Sequence, residues 1–237
     1  MTIFILRKLR SFAVSEKAKI LSRFFKTGKG EYGEGDKFLG VVMPDIHKLA
    51  KRYFQEISLE GLKHNIKSEF HEERMFALLS LVYKYELAVK KGDFKQAKNV
   101  FKFYLKNKKF INNWDLVDVT APKIVGHFIY HNKKEFKILE KLASSKKLWD
   151  RRIAIISLFY FIRHKDCKKA LVLYKRLLND DRDLIHKAIG WMLREIGKNC
   201  GEEVLEDFLN KYKGKMARIT LRYAIEKFSK DKRMRYL

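Results

Sequence analysis

From about residue 70 onward, apolar positions return every three to four residues in one segment after another. FALLSLVYKYE, RRIAIISLFYFI, HKAIGWMLREIG and TLRYAIEKF all carry this spacing, which predicts amphipathic or buried helices. Strict alternation bounded by Asn-Gly or Asp-Gly turns does not occur, so the pattern predicts an all-α fold with almost no sheet. Helix boundaries are marked as well. Asp181 and Asp183 precede LIHKAIGW, and Ser144 and Ser145 precede KKLWDRRIAI, both suited to helix starts. Gly197 and Gly214 are expected to mark helix ends.

The helices resemble one another. RMFALLSL, Arg74 to Leu81, lies over RRIAIISL, Arg151 to Leu158, at an offset of 77, with Arg, Ala, Ser and Leu coincident. A further shift of 34 places Ala154 on Ala188. Such periods predict paired-helix repeats of the HEAT or armadillo kind. A pair too small to bury its own apolar face must stack on its neighbours, which makes a curved solenoid with a concave surface. The expectation is one such domain over residues 1–237.

Charge adds a partner class. Lys and Arg number 53 against 28 Asp and Glu, a formal net charge of +25, on a chain that is 46% hydrophobic and 14% aromatic. That is a folding chain rather than a disordered basic tail, and its charge favours nucleic acid ahead of an anionic membrane. Two cysteines, Cys167 and Cys200, cannot make a disulfide framework or a Cys-rich zinc site. The amino-terminal MTIFILRKLRSFAV is apolar, then basic, and too short to span a bilayer. A cytoplasmic monomer with no membrane association and no obligate protein partner is expected.

Two motifs fail their context. GKGEYG, Gly28 to Gly33, spells G-x-G-x-x-G, but LSRFFK before it reads as a helix end and GEGDKFLG after it as more loop. A dinucleotide site needs a strand before and a helix within. The stretch instead reads as a tightly turning, mobile basic loop. His127 and His131 are four apart in GHFIYH, but Phe128 stands where H-E-x-x-H needs glutamate and no third ligand is evident, so no metal is expected.

The basic residues near aromatics are more informative. Arg151 and Arg152 sit early in one repeat helix, and Lys187 and Arg194 bracket Trp191 on one face of another, which suits a nucleic-acid backbone. In INNWDLVDVTAP, Trp114 and Asp118 are four apart and project together from a helical turn, while Asp115 points elsewhere and is expected to bond locally. An indole beside a carboxylate attracts cations. A purine alkylated at N3 or N7 is cationic and a good leaving group, and a carboxylate can stabilise an oxocarbenium-like sugar or position water.

WDLVD, LWDRRIAI and KAIGWMLRE, with FFKTGKGEYGEGDKFLGV and RYAIEKF, together resemble the AlkD-type DNA alkylation repair family, HEAT-like-repeat alkylpurine DNA glycosylases, over nearly the whole chain. The resemblance implies a helical solenoid cradling duplex DNA on a basic concave face. It also implies excision of N3- and N7-alkylpurines without metal or cofactor and without drawing the base into a pocket. It implies Asp118 as the catalytic carboxylate, Trp114 and Trp191 as aromatic walls, and Arg152 and Arg194 as backbone contacts. Asn113 stands where some members carry a second tryptophan, and Val42 where some carry glutamine. The competing reading is a non-catalytic helical-repeat scaffold binding nucleic acid or protein; only the Trp114, Asp118 and Trp191 set separates the two.

Overall fold

The structure, a computed structural model, describes residues 2–237; Met1, which opens the amino-terminal apolar run, lies outside them. The described residues are all-α, with a single isolated bridge between Lys37 and Phe70 in place of any sheet. They divide after Thr120 into two compact units.

The first unit holds α1 (Thr2–Arg10), α2 (Ser15–Phe24), α3 (Met43–Tyr53), α4 (Leu59–Asn65), α5 (His71–Lys90), α6 (Phe94–Asn107) and the start of α7 (Trp114–Ala121). Helix α5 is its axis, packed by α3, α4 and α6. Met75, Phe76, Leu78, Leu79, Leu81 and Val82 are all buried, so α5 has no solvent face through its middle. Its first turn is unusual. His71, Glu72, Glu73 and Arg74 are consecutive, ionisable and buried. Buried charge is tolerated only when paired and hydrogen-bonded. Glu73 accepts from Arg10 Nε and from Ser68 Oγ, each at 2.6 Å. Glu72 accepts the backbone N–H groups of Leu39, Gly40 and Val41 at 2.9, 2.8 and 3.2 Å. These bonds, with the Lys37–Phe70 bridge, fasten the glycine-rich loop to α5. Gly40 needs its hydrogen there: φ is +82°, and a Cβ would stand 2.1 Å from the Val14 carbonyl.

The second unit continues from α7 through a π-helical turn at Pro122–Gly126. It then holds α8 (His127–His131), α9 (Lys137–Ala143), α10 (Leu148–Ser157), α11 (Phe159–Arg163), α12 (Lys168–Arg176), α13 (Asp183–Cys200), α14 (Glu202–Tyr212), α15 (Arg218–Ala224) and α16 (Lys230–Met234). Helix α10 packs on α9 and α13, and α13 in turn on α14 and α15. Gly190 lets α13 touch α15: a Cβ there would lie 2.6 Å from the Thr220 carbonyl. Cys167 and Cys200 form a disulfide with Cα atoms 6.6 Å apart, one staple rather than a framework.

Some expected boundaries move. Gly197 is inside α13, not at its end, where its missing Cβ makes room for Leu205 of α14. The helix stops at Gly201, whose φ is +122°. Gly214 lies in a short 3-10 turn after α14. Ser145, two residues before the Lys147 cap of α10, accepts the Lys147 N–H at 3.2 Å.

The offset of 77 is physical. Ser68 Oγ bonds Glu73, and Ser145 Oγ bonds Asp150 at 2.8 Å. Arg74 Nη1 donates to the Ser68 carbonyl at 2.8 Å, and Arg151 Nη1 to the Ser145 carbonyl at 3.0 Å. Ser80 Oγ donates to the Phe76 carbonyl and Ser157 Oγ to the Ile153 carbonyl, at 2.8 and 2.6 Å. Each of these residue pairs is separated by 77 positions. No helix among the described residues is long and apolar enough to cross a membrane.

Candidate functional site

In the first unit the site residues gather at the start of α7. Trp114 and Asp118 lie one turn apart, both partly exposed. The Trp114 ring stacks on Phe25 with centroids 5.2 Å apart and meets Phe24 edge-on at 5.9 Å. Asp118 lies near the buried Tyr104–Thr120 hydrogen bond of 3.0 Å. Burial raises the Tyr104 phenol well above its ordinary value, and the Asp118 carboxylate adds to that rise.

What fixes the start of α7 is a set of residues that the sequence did not bring together, though it expected a local bond from Asp115. Asn113 is fully buried; its Oδ1 accepts the Trp114 N–H at 2.8 Å and its Nδ2 donates to Asp36 at 3.2 Å. Asp115 turns away from Trp114 and bonds locally: Oδ1 accepts the Leu116 N–H, and Oδ2 accepts His71 Nε2, both at 2.8 Å. The other ring nitrogen of His71 meets Asp36 Oδ2 at 3.2 Å. Asp36 also takes Arg74 Nη2 at 2.7 Å and Asn112 Nδ2 at 3.2 Å. The glycine-rich loop thus delivers Asp36 into a buried polar hub shared by α5 and α7.

The hub sets proton affinities. Burial pushes the Asp36 carboxyl up, but the hydrogen bond from His71 and the charges of Arg74 and His71 outweigh it and hold it below its ordinary value. Burial pulls His71 down, and the hydrogen bonds to Asp115 and Asp36 overcome that and raise it. A cavity of about 320 Å³, lined by Phe24, Phe25, Phe38, Met43 and Met75, reaches His71 and Asp115.

In the second unit Lys187, Trp191 and Arg194 are all partly exposed on α13. Trp191 packs on Phe159 with centroids 5.7 Å apart, and its Nε1 donates to Glu195 at 3.3 Å. Lys187 pairs with Asp183 at 2.6 Å, and Arg194 with Glu226.

Arg151 and Arg152, expected to hold a nucleic-acid backbone, are both buried, at 8% and 5% exposure. Arg151 is committed to Asp180, Nε to Oδ2 at 2.6 Å, and to the Ser145 carbonyl. Arg152 donates to the Leu184 carbonyl at 2.6 Å, tying α10 to α13. Arg151 serves the repeat here, because the loop before the helix leaves a carbonyl that its guanidinium fork satisfies.

The His127 and His131 rings lie against each other at a tilt of 42°, with centroids 4.5 Å apart. Burial, then the nearby His131 and His164, push His127 down to about 4. Among the described residues no group of three or more His, Cys, Asp or Glu side chains is placed to hold a metal ion.

A family model described as DNA alkylation repair enzyme matches residues 5–228. No curated protein matches significantly. Among solved structures, a predicted DNA alkylation repair enzyme from Enterococcus faecalis is similar, with a TM-score of 0.70 and 18% identity over 92% of this chain and 97% of that one. AlkD2 from Streptococcus mutans is similar at a TM-score of 0.55 and 20% identity, over 96% and 98% of the two chains. At these identities the likeness is one of fold.

Proposed function

The chain belongs to the DNA alkylation repair enzyme family, and from that premise we propose that it is a DNA glycosylase hydrolysing the N-glycosidic bond of cationic N3- and N7-alkylpurines in duplex DNA. The observation that carries the reading is the pair on α7. An indole and a carboxylate share one partly exposed face, and a buried hub holds the helix start beneath them. The fixed positive charge of the alkylated base is drawn to the π face of Trp114. As the bond breaks, that charge moves to the sugar, and the Asp118 carboxylate stabilises it or orients the incoming water. Charge on the leaving base does most of the activation, so the reaction asks for no redox group or carrier.

Trp191 would supply the second aromatic contact, and Lys187 and Arg194 would meet phosphates by exchanging their present acidic partners for DNA. Arg151 and Arg152 take no part as backbone ligands in this reading. The test is release of N7-methylguanine from methylated duplex DNA by the wild type and by Asp118→Asn. Removing one preorganised electrostatic group costs roughly 10²–10³-fold in rate. Equal release by both proteins, or none by the wild type, would sink the assignment.

A further inference from the structure

Four ionisable residues open α5, and three of them have plain structural work: Glu72 gathers loop amides, Glu73 binds Arg10, and Arg74 satisfies loop carbonyls. His71 differs, because both of its ring nitrogens meet carboxylates. Asp36 comes from the glycine-rich loop and Asp115 from the first turn of α7, 35 and 44 residues away.

A neutral imidazole has one N–H and one lone pair, so between two carboxylates it must turn the lone pair on one of them. Only the imidazolium donates to both. We propose that His71 is a positioning residue of the α7 site: as an imidazolium it locks the loop to the start of α7, and losing its proton frees that start and misplaces Trp114 and Asp118. The catalytic consequence rests on the glycosylase reading; the conformational one does not.

The surroundings support the charged form without preventing exchange. The titratable and charged groups facing His71 are Asp36 from the loop, Asp115 from α7, and Arg74 on its own helix. Glu72 and Lys17 line the cavity that reaches it. Glu72 accepts from three amides and Arg74 is held on Asp36, so among the bonds seen Glu72 takes none from His71 and Arg74 gives none to Asp115. Phe25 and Phe38 both touch the imidazole, with centroids 5.0 and 4.7 Å away and 5.0 Å from each other, so the ring is packed in one aromatic cluster. Exposed Ile20, Phe24 and Val42 line the same cavity, so it is open to solvent and gives protons a route to Asp115 and the ring. The hub also has leverage. Asp115 directly follows Trp114, so one helix turn carries its displacement to both site residues.

The experiment follows Trp114 emission in the double variant Trp149→Phe, Trp191→Phe, from about pH 6 to about pH 10, with His71 ring resonances followed by NMR in the wild type. The expected result is an emission change that tracks the His71 titration, above the ordinary imidazole value. It should be absent from the same background carrying His71→Gln or Asp115→Asn, with far-UV circular dichroism showing both folded. Where His71→Gln does not fold, Asp115→Asn decides. Trp114 emission that ignores the His71 titration, or an identical transition in either variant, overturns the proposal.

Single-turnover excision is the second arm. The rate should fall through the same midpoint with DNA affinity unchanged, and His71→Gln should be slower by roughly 10–100-fold and flat with pH. Emission that tracks His71 while excision does not removes the catalytic role. A wild type with no excision defeats the glycosylase reading, and the emission arm still decides the role of His71.

Discussion

Replacing Arg151 with alanine should cost stability while leaving the salt dependence of DNA binding alone. The Arg151 guanidinium meets Asp180 through Nε at 2.6 Å and Nη2 at 3.0 Å, and donates to the Ser145 carbonyl at 3.0 Å. The two side chains are 10% and 5% exposed, so solvent screens the pair little. Breaking a buried pair from one side costs about 3–5 kcal/mol, because the other charge stays buried. Asp180 keeps the Arg182 N–H at 3.0 Å, which compensates in part, so about 3 kcal/mol is expected. For a chain of this size that lowers Tm by roughly 6–12 °C. Asp180→Asn added to Arg151→Ala should recover part of the loss, since the stranded charge is then gone. Thermal unfolding followed by circular dichroism measures the first effect, and fluorescence anisotropy of duplex DNA over a salt series measures the second. A Tm within about 2 °C of wild type, or a salt slope reduced by about one counterion, would refute the reasoning and return Arg151 to the DNA surface.

Lys187→Ala should do the opposite: binding weakens on all duplex sequences and the salt slope falls by about one, with little change in Tm; an unchanged slope takes Lys187 out of the interface. Glu72→Gln offers one oxygen where the loop presents three N–H groups, and should destabilise by about 2–3 kcal/mol in urea unfolding, whereas wild-type stability would show that the loop is held otherwise. Asp36 has a carboxyl held below its ordinary value, so its contribution is complete above the unfolded value of about 3.9 and is lost as pH falls through the folded one. Asp36→Asn should therefore be less stable than wild type at neutral pH and should narrow the gap below about pH 4, and parallel pH curves would contradict this.

The helical class was legible because apolar spacing is local, and so was the shared face of Trp114 and Asp118. Gly197 was misread because a glycine that ends a helix and one that admits a neighbouring leucine look alike until Leu205 is placed against it. The polar hub was missed for a related reason. His71, Asp36, Asn113 and Asp115 meet across 35 to 77 residues, and no local pattern encodes that. One signal was available: H-E-E-R runs directly into an apolar stretch with no polar face, so its charges had nowhere to go but inside.

The repeat also held the means to separate structural from functional residues. Ser80, Thr120 and Ser157 each donate to the carbonyl four residues earlier, which sets α5, α7 and α10 in one register. Six places before these residues stand Arg74, Trp114 and Arg151; two places before them stand Leu78, Asp118 and Ile155. Arg74 and Arg151 perform the same task at equivalent positions, and Leu78 and Ile155 are both fully buried. Recurrence at the repeat spacing therefore identifies Arg151 as part of the scaffold, whatever its charge. Helix α7 breaks the rule at both positions, with an indole in place of the anchoring guanidinium and a carboxylate in place of a core aliphatic. Neither replacement helps the stacking of repeats: Trp114 gives up the bonds that Arg74 and Arg151 make to the preceding loop, and Asp118 brings a charge where its counterparts bury hydrocarbon. Asn113 and Asp115 then tie down the helix start that the missing guanidinium no longer anchors. The hub beneath α7 follows from those two departures, which is why the chemistry is sought there.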